Sequence, residues 1–192
     1  MFYNVIKFIA AVIFKLFFRI EAHNVENIPL NGKLILCSNH SSNLDPILIS
    51  IEAPRQISWM AKKELFKTKI LSYFINKLGA FPVDREGSDI SAIKKALRVL
   101  KDEKVLGIFP EGTRVKSMNL ENVRSGVSLL GFKSKSPILP VYIKSNYKIF
   151  SKVDIYFGQP FYLEKYIDHK PTTEDYIEMS QLILSKIYGL KD

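Results

Sequence analysis

Lys33-Leu-Ile-Leu-Cys37-Ser-Asn-His40-Ser-Ser-Asn-Leu-Asp45-Pro-Ile-Leu-Ile-Ser-Ile51 is the stretch whose reading decides the fold. Its first five residues form the short apolar run expected of a buried strand, and its last seven open on Asp-Pro, a common helix start. Ser41, Ser42 and Asn43 between them are turn formers. His40 and Asp45 bracket that turn. In an extended chain they stand roughly 17 Å apart, so they meet only if the chain folds back. If they meet, the carboxylate holds one imidazole nitrogen and leaves the other free to take a proton, which is a general base with its orienter. A plainer reading stands beside it: Asp45 starts a helix and His40 is a hydrogen-bonded loop residue.

Strand and helix patterns alternate on either side of this stretch. Short strands are expected at 57–60, 80–83, 104–109, 138–144 and 152–157. Helices are expected at 69–78 (stopped by Gly79), at 88–103 (capped by Ser88), at 123–133, and from Thr172 or Thr173 to about 188. The segment 21–32 reads as a connector. Strands separated by helix-length segments predict an α/β domain with a largely parallel central sheet flanked by helices, and ligands bind beyond the carboxyl ends of such strands. His40, Asp84-Arg85 and Glu111-Gly112-Thr113-Arg114 each follow a predicted strand, so three functional loops are expected on one edge.

A length of 192 residues suits one domain, and 47% hydrophobic residues exclude a disordered chain. The net charge of +9 favours an anionic partner: phosphate-bearing substrates, anionic lipid or nucleic acid. Nucleic acid is the weakest of these, because no zinc-finger, RNP or helix-turn-helix signature is present. One cysteine excludes an internal disulfide framework, and with three histidines it argues against a structural zinc site. Cys37 sits in an apolar strand and reads as core rather than nucleophile; Ser41 and Ser42 read as turn residues.

Residues 2–20 form an amphipathic pattern. Asn4, Lys7, Lys15 and Arg19 share one stripe with Ala11, and Phe8, Ile9, Val12, Ile13, Leu16 and Phe17 occupy the opposite face. The unbroken apolar run 8–14 is far below the ~20 residues of a membrane span. The pattern predicts a helix lying in the headgroup plane; a helix docked on the core and a true span are the alternatives. Residues 1–20 are accordingly expected as a membrane-interface helix and 21–192 as the catalytic domain.

Arg114 offers a planar fork for phosphate oxygens, Thr113 a hydroxyl, and Gly112 a close backbone approach. Glu111 can hold an arginine or accept a substrate hydroxyl, and Arg85 offers a second cation.

Taken in order, Asn39-His40-x4-Asp45, Gly79-Ala-Phe-Pro-Val-Asp-Arg85, Phe109-Pro-Glu-Gly-Thr-Arg114 and Pro137-Ile-Leu-Pro-Val141 resemble the 1-acyl-sn-glycerol-3-phosphate acyltransferase family, the PlsC-like glycerolipid acyltransferases. The match runs over about 26–141. The first and third motifs carry most of the specificity. The resemblance implies that His40 deprotonates the free hydroxyl of a lysophosphatidate and that Asp45 orients His40. The oxygen then attacks an acyl thioester directly, giving phosphatidic acid. It further implies that Arg85, Glu111, Gly112, Thr113 and Arg114 bind the acceptor's phosphate. Expected partners are a membrane lysophospholipid, an acyl carrier protein or CoA thioester, and an anionic membrane surface at the cytoplasmic face. No metal or organic cofactor is implied. Two departures leave the acceptor headgroup open: Arg124-Ser-Gly126 stands where the family often has Lys-x-Gly, and Phe81-Pro82-Val83 where a β-branched pair is usual. The alternatives are another lysolipid acceptor and a non-catalytic anionic-lipid-binding module.

Overall fold

The computed structural model describes residues 2–84 and 89–191. In chain order the elements are α1 (Phe2–Phe17), β1 (Arg19–His23), β2 (Leu34–Ser38), α2 (Asp45–Glu52), β3 (Ile57–Lys62), α3 (Lys69–Lys77), β4 (Phe81–Val83), α4 (Ile90–Lys101), β5 (Val105–Ile108), α5 (Gly126–Ser134), β6 (Ile138–Ser145), β7 (Lys152–Phe157) and α6 (Thr173–Tyr188), with short 3-10 turns between some of them. The strands form one sheet in the order β1-β7-β6-β2-β5-β3-β4. Every neighbouring pair is parallel except β6 and β7, so the largely parallel α/β sheet expected from the sequence is the fold observed.

Strand β2 is central and completely buried, because apolar side chains go to both faces of a sheet covered on both sides. The alternation of a strand divides them. Leu34 and Leu36 join the core under α2, with Leu48, Ile49, Val141 and Ile155; Ile35 and Cys37 join the opposite core, with Leu130, Ile183, Leu184 and Ile187. Each of these leucines and isoleucines is fully buried and contributes about 1.5–3 kcal/mol of transfer free energy. Gly107 on β5 is fixed by packing. A Cβ there would come within 2.5 Å of the Trp59 ring, so no larger residue fits.

Three local expectations are corrected. The 88–103 helix begins at Ile90, and its cap is Asp89, whose Oδ1 accepts from the Ala92 N–H at 2.9 Å; Ser88 lies outside the described residues. Three donors, the Asp84 N–H first and then Ser91 and Ala92, hold the Asp89 carboxyl down to about 2. The helix expected from 123 starts later, at Gly126. The N-terminal helix stops at Phe17, and Arg19–His23 is an edge strand parallel to β7 rather than helix end and connector. The sheet therefore begins inside the first twenty residues. Strands β2, β5, β3 and β4 are mutually parallel, so the chain leaves β2, β5 and β4 at the same edge of the sheet, as expected. Strands β2 and β5 are neighbours, and β4 lies two strands beyond β5, about 10 Å from it.

Among the described residues no helix is long and apolar enough to cross a membrane. Helix α1 has no buried residue. Its Lys7 Nζ donates to the Ala53 carbonyl at 2.5 Å, and Lys15 pairs with Glu52 at 3.1 Å. The polar stripe thus faces α2, and the apolar stripe, with Phe8 69% and Leu16 67% exposed, faces away from the domain.

Candidate active site

The site grows from the end of β2. Asn39 extends the sheet with its side chain: Nδ2 donates to the Ile143 carbonyl at 2.9 Å, and Oδ1 accepts from the Ile143 N–H at 2.8 Å. The amide stands in for a peptide unit and fixes where the next residue leaves the sheet. That residue is His40, buried, with its ring stacked on Phe109 at 4.0 Å between centroids; Phe109 stacks in turn on Trp59 at 4.8 Å.

The chain does fold back. His40 Nδ1 lies 2.8 Å from Asp45 Oδ2. The same oxygen accepts the Ser41 and Ser42 N–H groups at 2.7 and 2.8 Å, and the Tyr147 hydroxyl donates to Oδ1. Leu44 is the N-cap and gives no side-chain cap, so Asp45 is the first helical residue and its carboxylate serves the turn and the imidazole together. Asp45 is 0% exposed, and four donors replace the water it gives up. With Nδ1–H donated to Asp45, the neutral ring keeps its lone pair on Nε2.

The loop after β5 grips His40 by its backbone. Glu111 Oε2 accepts the His40 N–H at 2.7 Å, Glu111 Oε1 accepts the Tyr188 hydroxyl at 2.7 Å, and the Val115 N–H donates to the His40 carbonyl at 2.8 Å. Burial pushes the Glu111 carboxyl above the usual glutamate range, with the Tyr188 and His40 donors pulling the other way. Gly112 has φ of +67°, a left-handed conformation glycine adopts without strain, and a Cβ there would come within 3.1 Å of the Arg124 side chain. Thr113 and Arg114 are exposed at the tip. Among the described residues the Arg114 and Arg124 guanidiniums make no hydrogen bond or ion pair. Arg85 lies outside the described residues.

The acyltransferase family model matches residues 19–144, a span from β1 into β6 that contains both loops. The chain belongs to the acyltransferase family. A 1-acyl-sn-glycerol-3-phosphate acyltransferase of Bacillus subtilis is 32% identical over 90% of this chain and 88% of its own length. One from Streptococcus pneumoniae is 35% identical over 72% of this chain, which spans 54% of that relative. The crystal structure of the 1-acyl-sn-glycerophosphate acyltransferase PlsC from Thermotoga maritima superposes with a TM-score of 0.74 over 98% of this chain and 78% of that one. At 22% identity that likeness speaks for the fold.

In this acyltransferase the structure brings His40, Asp45 and Glu111 into one bonded cluster, with Gly112, Thr113 and Arg114 on the adjoining loop. Glu111 has both oxygens engaged by the protein, an arrangement that braces His40. Cys37, fully buried, has its thiol pushed far up by burial and stays protonated. Three contributors escape sequence reasoning: Tyr147 on Asp45, Tyr188 on Glu111, and the Phe109–Trp59 stack beneath His40. Tyr147 and Tyr188 follow the residues they serve by 102 and 77 positions, and no local pattern marks such pairings. Phe109 was in plain view as the residue before Pro110-Glu111.

Proposed function

We propose that this protein transfers an acyl chain from an acyl thioester to the free hydroxyl of lysophosphatidic acid, forming phosphatidic acid. The observation that carries this is the buried His40–Asp45 pair, with, among the described residues, no partner on Nε2 and no activated protein nucleophile beside it. Nε2 takes the hydroxyl proton as the acceptor oxygen attacks the thioester carbonyl. Collapse of the tetrahedral adduct breaks the carbon–sulfur bond, and the imidazolium returns its proton to the departing thiolate. Asp45 keeps the ring in the required tautomer and balances its positive charge. Thr113 and Arg114, joined by Arg85, hold the acceptor's phosphate. This scheme needs no metal or organic cofactor.

The donor is carried by acyl carrier protein or CoA, both acidic, and the net charge of +9 favours their approach. The acceptor lies in a bilayer, so the exposed apolar face of α1 supports a placement on an anionic membrane surface, at the cytoplasmic side where both donors are made. The acyltransferase relatives named above support lysophosphatidate over other lysolipids.

The test is thiol release from a long-chain acyl thioester in the presence of lysophosphatidate. Wild type gives acceptor-dependent release, and His40→Ala lowers kcat by about 10²–10⁴-fold, the usual worth of a positioned base. Release without acceptor would point to a thioesterase. Equal activity in the variant would remove His40 from the mechanism.

A further inference from the structure

Helix α1 does not end in solvent at either end. Its first ring, Phe2, stacks on Phe74 of α3 at 6.3 Å, and Ile70 and Tyr73 of α3 are 73% and 55% exposed. At the other end the Phe17 carbonyl accepts the Phe150 N–H at 2.6 Å, and Ile149 and Phe150, at the tip of the β6–β7 hairpin, are 66% and 68% exposed. Between these contacts run the exposed side chains of Val5, Phe8, Ile9, Val12, Ile13 and Leu16 along a helix about 24 Å long. A continuous apolar strip of that length exceeds the scattered exposure normal for a surface.

Charge identifies what covers it. Residues 2–20, 65–83 and 142–153 each contain three Lys or Arg and no Asp or Glu, in a chain with 19 acidic residues. The domain itself binds Lys7, Lys15 and Lys152. Arg19, Lys67, Lys69, Lys77, Lys144 and Lys148 remain exposed beside the strip. A second copy would bring these like charges together, whereas an anionic bilayer complements them.

Resting on the bilayer reading of α1, we propose that α1 is the middle of a three-part surface docked on anionic lipid, completed by α3 at one end and the Ile149–Phe150 tip at the other. The tip also ties that surface to the chemistry. Tyr147 and Phe150 have φ of +55° and +63°, a conformation bulky residues rarely adopt. In this shape the Tyr147 hydroxyl reaches Asp45 while Phe150, three residues on, faces out. Three residues span at most about 10 Å, so the anchor of Asp45 is held close to the headgroup layer that presents the acceptor hydroxyl.

Three double variants test this on vesicles of phosphatidylglycerol and phosphatidylcholine: Phe8→Ser with Val12→Ser, Ile70→Ser with Tyr73→Ser, and Ile149→Ser with Phe150→Ser. Each is expected to weaken binding at least tenfold without lowering Tm. A dye on Phe150→Cys is expected to shift to the blue on these vesicles and not on phosphatidylcholine alone; the native Cys37 is buried and unlabelled. If only the α1 variant releases the protein, the three-part surface is wrong and the α1 reading stands. If no variant releases it, the bilayer reading falls as well. A wild-type dimer that the tip variant converts to monomer would give the surface to a second copy and overturn the proposal.

Discussion

The turn between β2 and α2 and the loop between β5 and α5 lie side by side but are built on opposite plans. In the turn, Asp45 is fully buried with four donors on its carboxylate, and His40 is held by its ring, its N–H and its C=O. In the loop, Thr113 and Arg114 stand exposed at the tip. A group that moves a proton works best when no reorganisation is left for the moment of reaction. A cation that is to bind a phosphate can be left exposed, because its hydrogen bonds are completed by the substrate. On the proposed function, the proton half of the site is finished in the free protein, and the anion half would be finished by its ligand.

The sharpest way to break this comparison is Asp45→Asn. The amide oxygen can still accept from Ser41 and Ser42, so the turn and Tm are expected to survive, whereas the charge that steadies the imidazolium is gone. A fall in kcat of about 10²–10⁴-fold with KM nearly constant is expected from acceptor titrations. Activity within a few-fold of wild type would reduce Asp45 to a turn former, which was the plainer reading of Asp-Pro.

Arg114→Ala probes the other half, with a smaller effect. A charge-assisted hydrogen bond contributes about 1.5–3 kcal/mol, so KM for lysophosphatidate should rise about ten- to a hundredfold while kcat and Tm hold. A monoacylglycerol acceptor, lacking the phosphate, should show no such rise. Equal loss on both acceptors would mean that the loop does not select the phosphate.

The two halves were also unequally legible. Strand, turn and helix around His40 follow from local signals: an apolar run, turn residues and Asp-Pro. The same holds for α6, whose Thr172 forms a capping box with Asp175. What stayed hidden was long-range. The edge strand β1 continues an apolar helix without punctuation, and only its pairing with β7, more than 130 residues later, makes it a strand. The shared edge of the three loops was legible, but not that Asp84 would stand two strands from β5, because strand order across a sheet is not written in strand sequence. Asp89 took the cap that Ser88 also had the chemistry to fill. Tyr147 and Tyr188 carry no mark of their partners, since a tyrosine near the end of a strand or helix is ordinary core material.

Glu111 joins the two halves, and its titration gives the smallest expected effect. Its folded carboxyl is raised above the usual value, chiefly by burial. In the window between its unfolded and folded values the native state holds more protons than the unfolded state, so stability falls as pH rises through that window. The contribution is fully present below the unfolded value and is lost above the folded one. Glu111→Gln removes the titration and should flatten this part of a Tm profile taken from about pH 4 to about pH 8. The amide oxygen can still accept the His40 N–H while the amide N–H donates to the Tyr188 hydroxyl, so the variant is expected to keep Tm at neutral pH within a few degrees of wild type. A profile parallel to wild type would mean that the Glu111 carboxylate is as well solvated folded as unfolded. The brace on His40 would then be looser than the 2.7 Å contact implies.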